Sequence, residues 1–313
     1  MRSATALRFA IAVVAVLLAA GPAHAARIFN VGVHGTDAVG CGTVAQPCRT
    51  IGHVVGVAAS GDRIIVGPGT YPAFALDKAV TLESTHGAGA TIVEGSVVFQ
   101  GATVTIPVAA GAEGAVIGRT SKGFTIRGAE FGIIVDTTDV VIQDNVVSGG
   151  VQGNSVGARL TVAGNVISGE IVAGGADTSV LQNAIQGPGV GVTMAGSGAV
   201  LRDNVITGAS AGAIVGNNID VVEIRRNTFA ANGIGLVVQV GGSHVVVASN
   251  NFLGNGNGNC GILNDRDGLV ATGNYWGSSS GPGADPADQV CQRAADTTPF
   301  LRAPAIVNVT GGR

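Results

Sequence analysis

Seven short segments of the chain align on one asparagine: IQDNVV (142–147), VAGNVI (162–167), VLQNAI (180–185), LRDNVI (201–206), IRRNTF (224–229), VASNNF (247–252) and, more weakly, ATGNYW (271–276). The aligned residues Asn145, Asn165, Asn183, Asn204, Asn227, Asn250 and Asn274 are 20, 18, 21, 23, 23 and 24 residues apart. Self-similarity at such a period means one structural unit stacked on copies of itself, which constrains the fold more than any local propensity. Upstream of each asparagine the apolar residues alternate, as in Val140 and Ile142, Leu160 and Val162, or Val245 and Val247. The second residue after it is apolar again. Period two puts these side chains on one face, so the chain points inward on both sides of the asparagine and turns a corner there. Asparagine tolerates the left-handed conformation expected of such a corner, and its amide can bond backbone or an identical neighbour.

Between corners a further short strand is expected near residues 133–135, 190–192, 213–215 and 234–236. Three short strands in a coil of about 22 residues, stacked at ~4.8 Å, predict an all-β chain: a single-stranded right-handed parallel β-helix, or solenoid. A leucine-rich repeat needs a leucine ladder that this sequence lacks, and a β-sandwich would not keep corners at so steady an interval. The 51 glycines fit many tight turns. Solenoid ends need covers. Ile51, Val54, Val55 and Ala58 fall at helical spacing behind Thr50, a fair N-cap, and predict a short N-terminal capping helix.

The first 25 residues are set apart from the fold. Arg2 and Arg8, an apolar run from Phe9 to Ala20 and a small-x-small site ending at Ala25 predict a secretory signal peptide. The run is shorter than the ~20 residues of a membrane span, and no later segment would span, so a secreted or periplasmic protein is expected. Without Arg2 and Arg8, Lys+Arg falls from 17 to 15 against 20 Asp+Glu, a net charge of −5. No basic stripe remains to neutralise phosphates, which speaks against nucleic acid as a partner. The four cysteines all follow the cleavage site, and an even count in an exported chain favours disulfides. The compact CGTVAQPC segment (41–48) favours Cys41 with Cys48, leaving Cys260 with Cys291. No C-x₂-C or paired histidines suggest a metal site instead.

Three further segments carry a resemblance. PCRTI (47–51) leads into GDRIIVGPGTY (61–71), NYWG (274–277) closes the repeats, and GPGAD (281–285) follows. With the asparagine repeat, these are similar to exported bacterial members of the pectate-lyase-like superfamily of right-handed β-helices, over roughly residues 27–300. The resemblance departs at residues 88–128, where the asparagines are missing and rung register is open. The expected organisation is a signal peptide (1–25), an N-terminal cap with disulfide and helix (26–62), the β-helix (63–277) and a C-terminal tail or cap (278–313).

What the resemblance implies about activity is polysaccharide chemistry: lyases, hydrolases or epimerases using carboxylates, arginines or Ca²⁺-binding aspartates in a cleft along one strand column. Alternation predicts that the outward residues of that column here are Ile134, Gly191, Ile214, Gly235 and Leu263, then Asp136, Thr193, Gly216 and Val237. One carboxylate in nine is a poor cleft, and paired acids for glycoside hydrolysis are not visible. Weak catalytic candidates lie in the adjoining turns: Asp136 and Asp139, and Asp265, Arg266 and Asp267; aspartate is also simply a good turn residue. Asp203 and Arg226 are expected to stack as an exposed charge pair, with Arg202 and Arg225 beside them. Histidines 34, 53, 86 and 244 are scattered, and Met194 is the one methionine after the signal. Soft copper ligands are therefore scarce, which weighs against an analogy with the β-helix copper accessory protein of nitrous-oxide reduction. No cofactor is expected, with Ca²⁺ considered only if the protein is an enzyme. The favoured reading is a non-catalytic structural, adhesive or binding protein of the cell envelope or exterior, meeting a glycan or protein surface through the apolar strip Ile134, Gly191, Ile214, Gly235 and Leu263. The alternative is a lyase, hydrolase or epimerase acting on acidic glycans.

Overall fold

The computed structural model describes residues 25–310; all but the last residue of the expected signal peptide lies outside them. The chain coils into three long sheets that share one apolar core. The strands before the asparagines form a twelve-stranded upstream sheet, from Ile28–Val31 to Ala295–Asp296. Those after them form a nine-stranded downstream sheet, from Gly69–Pro72 to Asn251–Leu253. A third sheet of ten strands runs from Val97–Phe99 to Gln289–Gln292. Neighbouring rungs pair in parallel, as Ile142 with Val162 and Val162 with Val180. The protein is a right-handed parallel β-helix. Its stacking reaches past residues 63–277 at both ends: Ile28–Val31 pairs with Arg63–Val66, and the tail supplies a last partial rung.

Asn145, Asn165, Asn183, Asn204, Asn227, Asn250 and Asn274 stand in one buried column. From Asn165 onward each Oδ1 accepts from the backbone N–H and the amide of the preceding asparagine; Asn227 Oδ1, for example, lies 2.9 Å from Asn204 N and 3.0 Å from Asn204 Nδ2. The Nδ2 group also donates to a core-facing carbonyl, as Asn204 to Val180 at 2.8 Å. Every donor and acceptor at the corner thus finds a partner without water. The left-handed residue, however, is the one before the asparagine: Asp144, Gln182, Asp203, Arg226 and Ser249 have φ of 51–59°, and Gly164 and Gly273 take the same place. Asparagine is required at the corner for its amide, not for its backbone.

A second ladder stands at the corner between the downstream and third sheets. Asn232 donates to Asn255, and Asn255 donates to both carboxylate oxygens of buried Asp288. Only two asparagines and an aspartate from the tail take part, too few to show as a repeat. Beside it Gly191, Gly212, Gly235 and Gly261 stack so closely that a Cβ on any of the first three would sit 2.5 Å from the carbonyl oxygen of the next.

Both ends are covered. The helix Ile51–Val57, N-capped by Thr50, buries Ile51, Val54 and Val55 over the first rung. Lys78 Nζ donates to the carbonyls of Val55 and Gly56 at its C-terminus. Disulfide Cys41–Cys48 closes the adjoining loop. At the other end Phe229, Phe252 and buried Trp276 stack with centroids 5.3 and 4.9 Å apart, and Cys260–Cys291 ties the last rung to the tail. The tail then turns back. Leu301 N bonds Asn274 O, Ala305 exchanges two bonds with the Asn251 side chain, and Thr310 reaches Gly164. This strap turns Ala305, Val307 and Val309 toward the sheet and leaves Ile306, Asn308 and Thr310 exposed.

Residues 88–128 depart from the plan in two places. Val97–Phe99 and Ala102–Val108 form an antiparallel hairpin. Its tip residue Gln100 reaches Asp136 and Asn154, and Ile134 below is almost wholly covered. The second departure is a loop, residues 118–124, which replaces the two-residue asparagine corner between Val116–Ile117 and Thr125–Arg127. Phe124 N takes over as donor to Asn145 Oδ1 and ends the ladder.

Candidate functional site

The outer face of the third sheet is the place to look for a cleft. Pairing sets the outward column as Ile134, Gln152, Val172, Thr193, Ile214, Val237 and Leu263. The strip expected from alternation needs correction. Ile214 and Leu263 are half-buried on this face, but Ile134 lies under the hairpin. Gly191 and Gly235 are buried and face inward: a Cβ there would meet Ile206 at 2.6 Å and Phe252 at 3.0 Å. Each rung kinks at its glycine while the register holds, so strict period two fails at that residue. For the same reason Val190 and Ile234, which alternation with an outward Gly191 and Gly235 would turn into the core, are only half-buried.

The acidic candidates do not converge. Asp136 accepts from Gln100 Nε2 at 2.7 Å and Asn154 Nδ2 at 3.3 Å, and Gln152 donates to Asn154 at 3.1 Å. This amide-rich patch is what alternation alone could not reveal, because Gln100 comes from the hairpin. Asp139 makes a two-pronged pair with Arg159 at 2.5 and 2.6 Å, and that guanidinium holds its carboxyl below the usual range. Asp265, Arg266 and Asp267 do share a shallow cavity of about 310 Å³ with Arg293. There Asp267 pairs with Arg293 at 2.6 Å and Arg266 Nη2 donates to Gly242 O at 3.0 Å. Asp203 and Arg226 pair through two bonds of 2.8 Å on the other side of the solenoid.

The one group of described residues with metal-ligand spacing is Cys41, Cys48 and His53, whose donor atoms lie within 4.8 Å of one another. Its two sulfurs are bonded to each other. A disulfide offers no thiolate, which leaves one imidazole. Met194 is sealed in the core.

A second concentration of charge lies where the sequence is irregular. Arg63 and Lys122 both bind Glu83 Oε1, Lys122 at 3.3 Å, while Arg119 and Gln143 line the same open cavity of about 300 Å³. Burial pushes the Glu83 carboxyl up, but its bonds to Arg63 and Lys122 outweigh this and hold it below the usual range. On the far side of the loop a cavity of about 740 Å³ is bounded by residues 87–89, Asp144 and the strap.

Fold and covalent links define the class: a disulfide-stabilised right-handed parallel β-helix. The family described as "NosD: Periplasmic copper-binding protein (NosD)" matches residues 55–281, and the chain belongs to that family. The scarcity of soft ligands thus weighed against a kinship that holds. With its disulfides and this family, the protein is secreted or periplasmic; no helix among the described residues is long and apolar enough to cross a membrane. No curated protein matches the sequence. Among solved structures, the A-module of mannuronan C-5 epimerase AlgE6 from Azotobacter vinelandii is similar at 13% identity and a TM-score of 0.37, over 79% of this chain and 92% of the module. Among the described residues the copper in the family's description finds no fitting donor set while Cys41 and Cys48 remain joined.

Proposed function

We propose that this is a non-catalytic exported β-helix that works by binding, with the third sheet as its contact face for a glycan or protein surface. One observation carries this reading: along the outward column from Ile134 to Leu263 no carboxylate occurs. Three of the nearest acids are engaged as well, Asp136 by two amides, Asp139 by Arg159 and Thr193's neighbour Glu170 by the threonine hydroxyl, while Asp265, two residues beyond Leu263, keeps its Oδ1 buried without a hydrogen-bond partner. A general acid or base must reach the proton it moves, and carboxylates so held are poorly placed to do so. Half-buried Val172, Ile214 and Leu263, in one column with Gln152 and Thr193, instead offer the mixed apolar and hydrogen-bonding surface of a contact face.

The test is incubation of purified protein with polyuronates, read by ultraviolet absorbance for unsaturated ends and by proton NMR for epimerisation. Neither product is expected. Turnover that disappears in Asp136→Asn would establish the alternative, an enzyme acting on acidic glycans. In place of a substitution at Gly235, which the fold forbids, Ile214→Asp with Leu263→Asp is the variant that should weaken partner binding without unfolding the coil.

A further inference from the structure

We propose that the loop of residues 118–123, with Arg63, Glu83 and Gln143, forms a binding site for a hydroxycarboxylate, a ligand with a carboxylate flanked by hydroxyls. It lies on the upstream side of the solenoid, away from the third sheet, so it stands or falls apart from the contact face proposed above. The loop's two ends are glycines because nothing larger fits. A Cβ on Gly118 would lie 2.1 Å from Gln143 O, and one on Gly123 would lie 1.8 Å from Asp144 O. Clamped at both ends on the next rung, the loop pushes Arg119, Thr120, Ser121 and Lys122 out of the coil. Lys122 is one of only two lysines in the chain.

Arg63, Arg119 and Lys122 face one carboxylate, Glu83, around one cavity. The local charge is about +2 on a chain whose expected mature charge is −5. Arg119 is exposed and has no ion-pair partner among the described residues. The Glu83 side chain is 2% exposed, yet its Oε2 has no hydrogen-bond partner, and neither has Arg63 Nε. Such orphaned groups ask for a ligand. Arg63 and Lys122, which bind the other oxygen of Glu83, are 35% and 45% exposed, so their charges border the open cavity.

The mixture of charges selects the ligand. Arg119 and Lys122 answer a carboxylate through charge-assisted bonds. Glu83 Oε2 can only accept, so it wants a hydroxyl and repels a compact dianion such as phosphate. Thr120 and Gln143, already bonded to each other at 3.2 Å, add neutral partners at the rim. A hydroxy acid supplies both demands from adjacent carbons.

Calorimetry on the whole exported chain, at low salt, tests this with tartrate, glucuronate and inorganic phosphate as separate probes. Tartrate or glucuronate should bind, phosphate at least tenfold more weakly, and Arg119→Ala with Lys122→Ala should weaken binding tenfold or more in a chain that circular dichroism shows to be still folded. Tartrate binding without glucuronate would assign the site to free hydroxy acids, and the reverse to sugar acids. Glu83→Gln should narrow the gap between phosphate and the hydroxy acids; if it does not fold, the Arg119 and Lys122 variant decides. Phosphate binding as tight as the hydroxy acids, unaltered binding in the double variant, or no hydroxy-acid binding at all would overturn the proposal.

Discussion

At the residue scale the corner asparagine and the residue before it have separate duties. Asn204 is held by Val180, Arg202 and Asn227 and itself receives two bonds from Asn183. Asn204→Ala should cost about 1–3 kcal/mol in urea melts, because buried backbone groups lose their partner. Arg202→Ala, on a half-exposed side chain, should cost far less. Gln182 bears the positive φ of 58°. Gln182→Gly should therefore stay within about 1 kcal/mol of wild type, on the stabilising side, as relieved strain offsets chain entropy. A loss as large as that of Asn204→Ala would contradict this division. For copper, titrating the disulfide-intact protein against a colorimetric Cu(I) chelator should leave the chelator complex unchanged; retention of one copper per chain would reveal donors other than the Cys41, Cys48 and His53 group.

The sheets and corners show which parts of this chain could be read in advance. The asparagine corners were legible because each amide must bond to an identical neighbour, which forces the same letter at every rung. The capping helix was legible from Ile51, Val54 and Val55. The Gly191 and Gly235 column was misread because alternation assumes a straight strand and carries no sign of an inward kink. Asn232, Asn255 and Asp288 passed unnoticed because a ladder of three, ending in a different residue, has no period. The anion-facing loop fell in the one stretch where the repeat was lost, and Arg63 and Glu83 are far from it in sequence. The second ladder yields a pH prediction. Burial pushes the Asp288 carboxyl up, against the bonds from Asn255. A group whose pKa is raised in the native state holds its proton more tightly there, so stability falls as pH rises from about 4 through the native value. Trp276, the single tryptophan, lies beside it, its carbonyl accepting from Asp288 N at 2.8 Å. Urea melts followed by Trp276 fluorescence should show wild type gaining relative to Asp288→Asn as pH is lowered from 7.5 to 4.5. A constant difference would show that Asp288 does not titrate differently on folding.

For the whole molecule, the returning tail matters most. A solenoid held only by contacts between neighbouring rungs has no preferred length, since one more rung adds the same bonds as the last. Here the tail links the rung of Asn274 to those of Asn165 and Asn145 by an extended run of about ten residues. Each added coil would lengthen the axis by ~4.8 Å, whereas an extended strap spans ~3.4 Å per residue. Duplicating one rung between Asn204 and Asn227 should leave Val307 and Val309 short of their seats, and the strap should become sensitive to protease. Two residues added to the strap in compensation should restore protection. The tail is in effect a gauge: it permits variation in what each coil displays but not in how many coils there are.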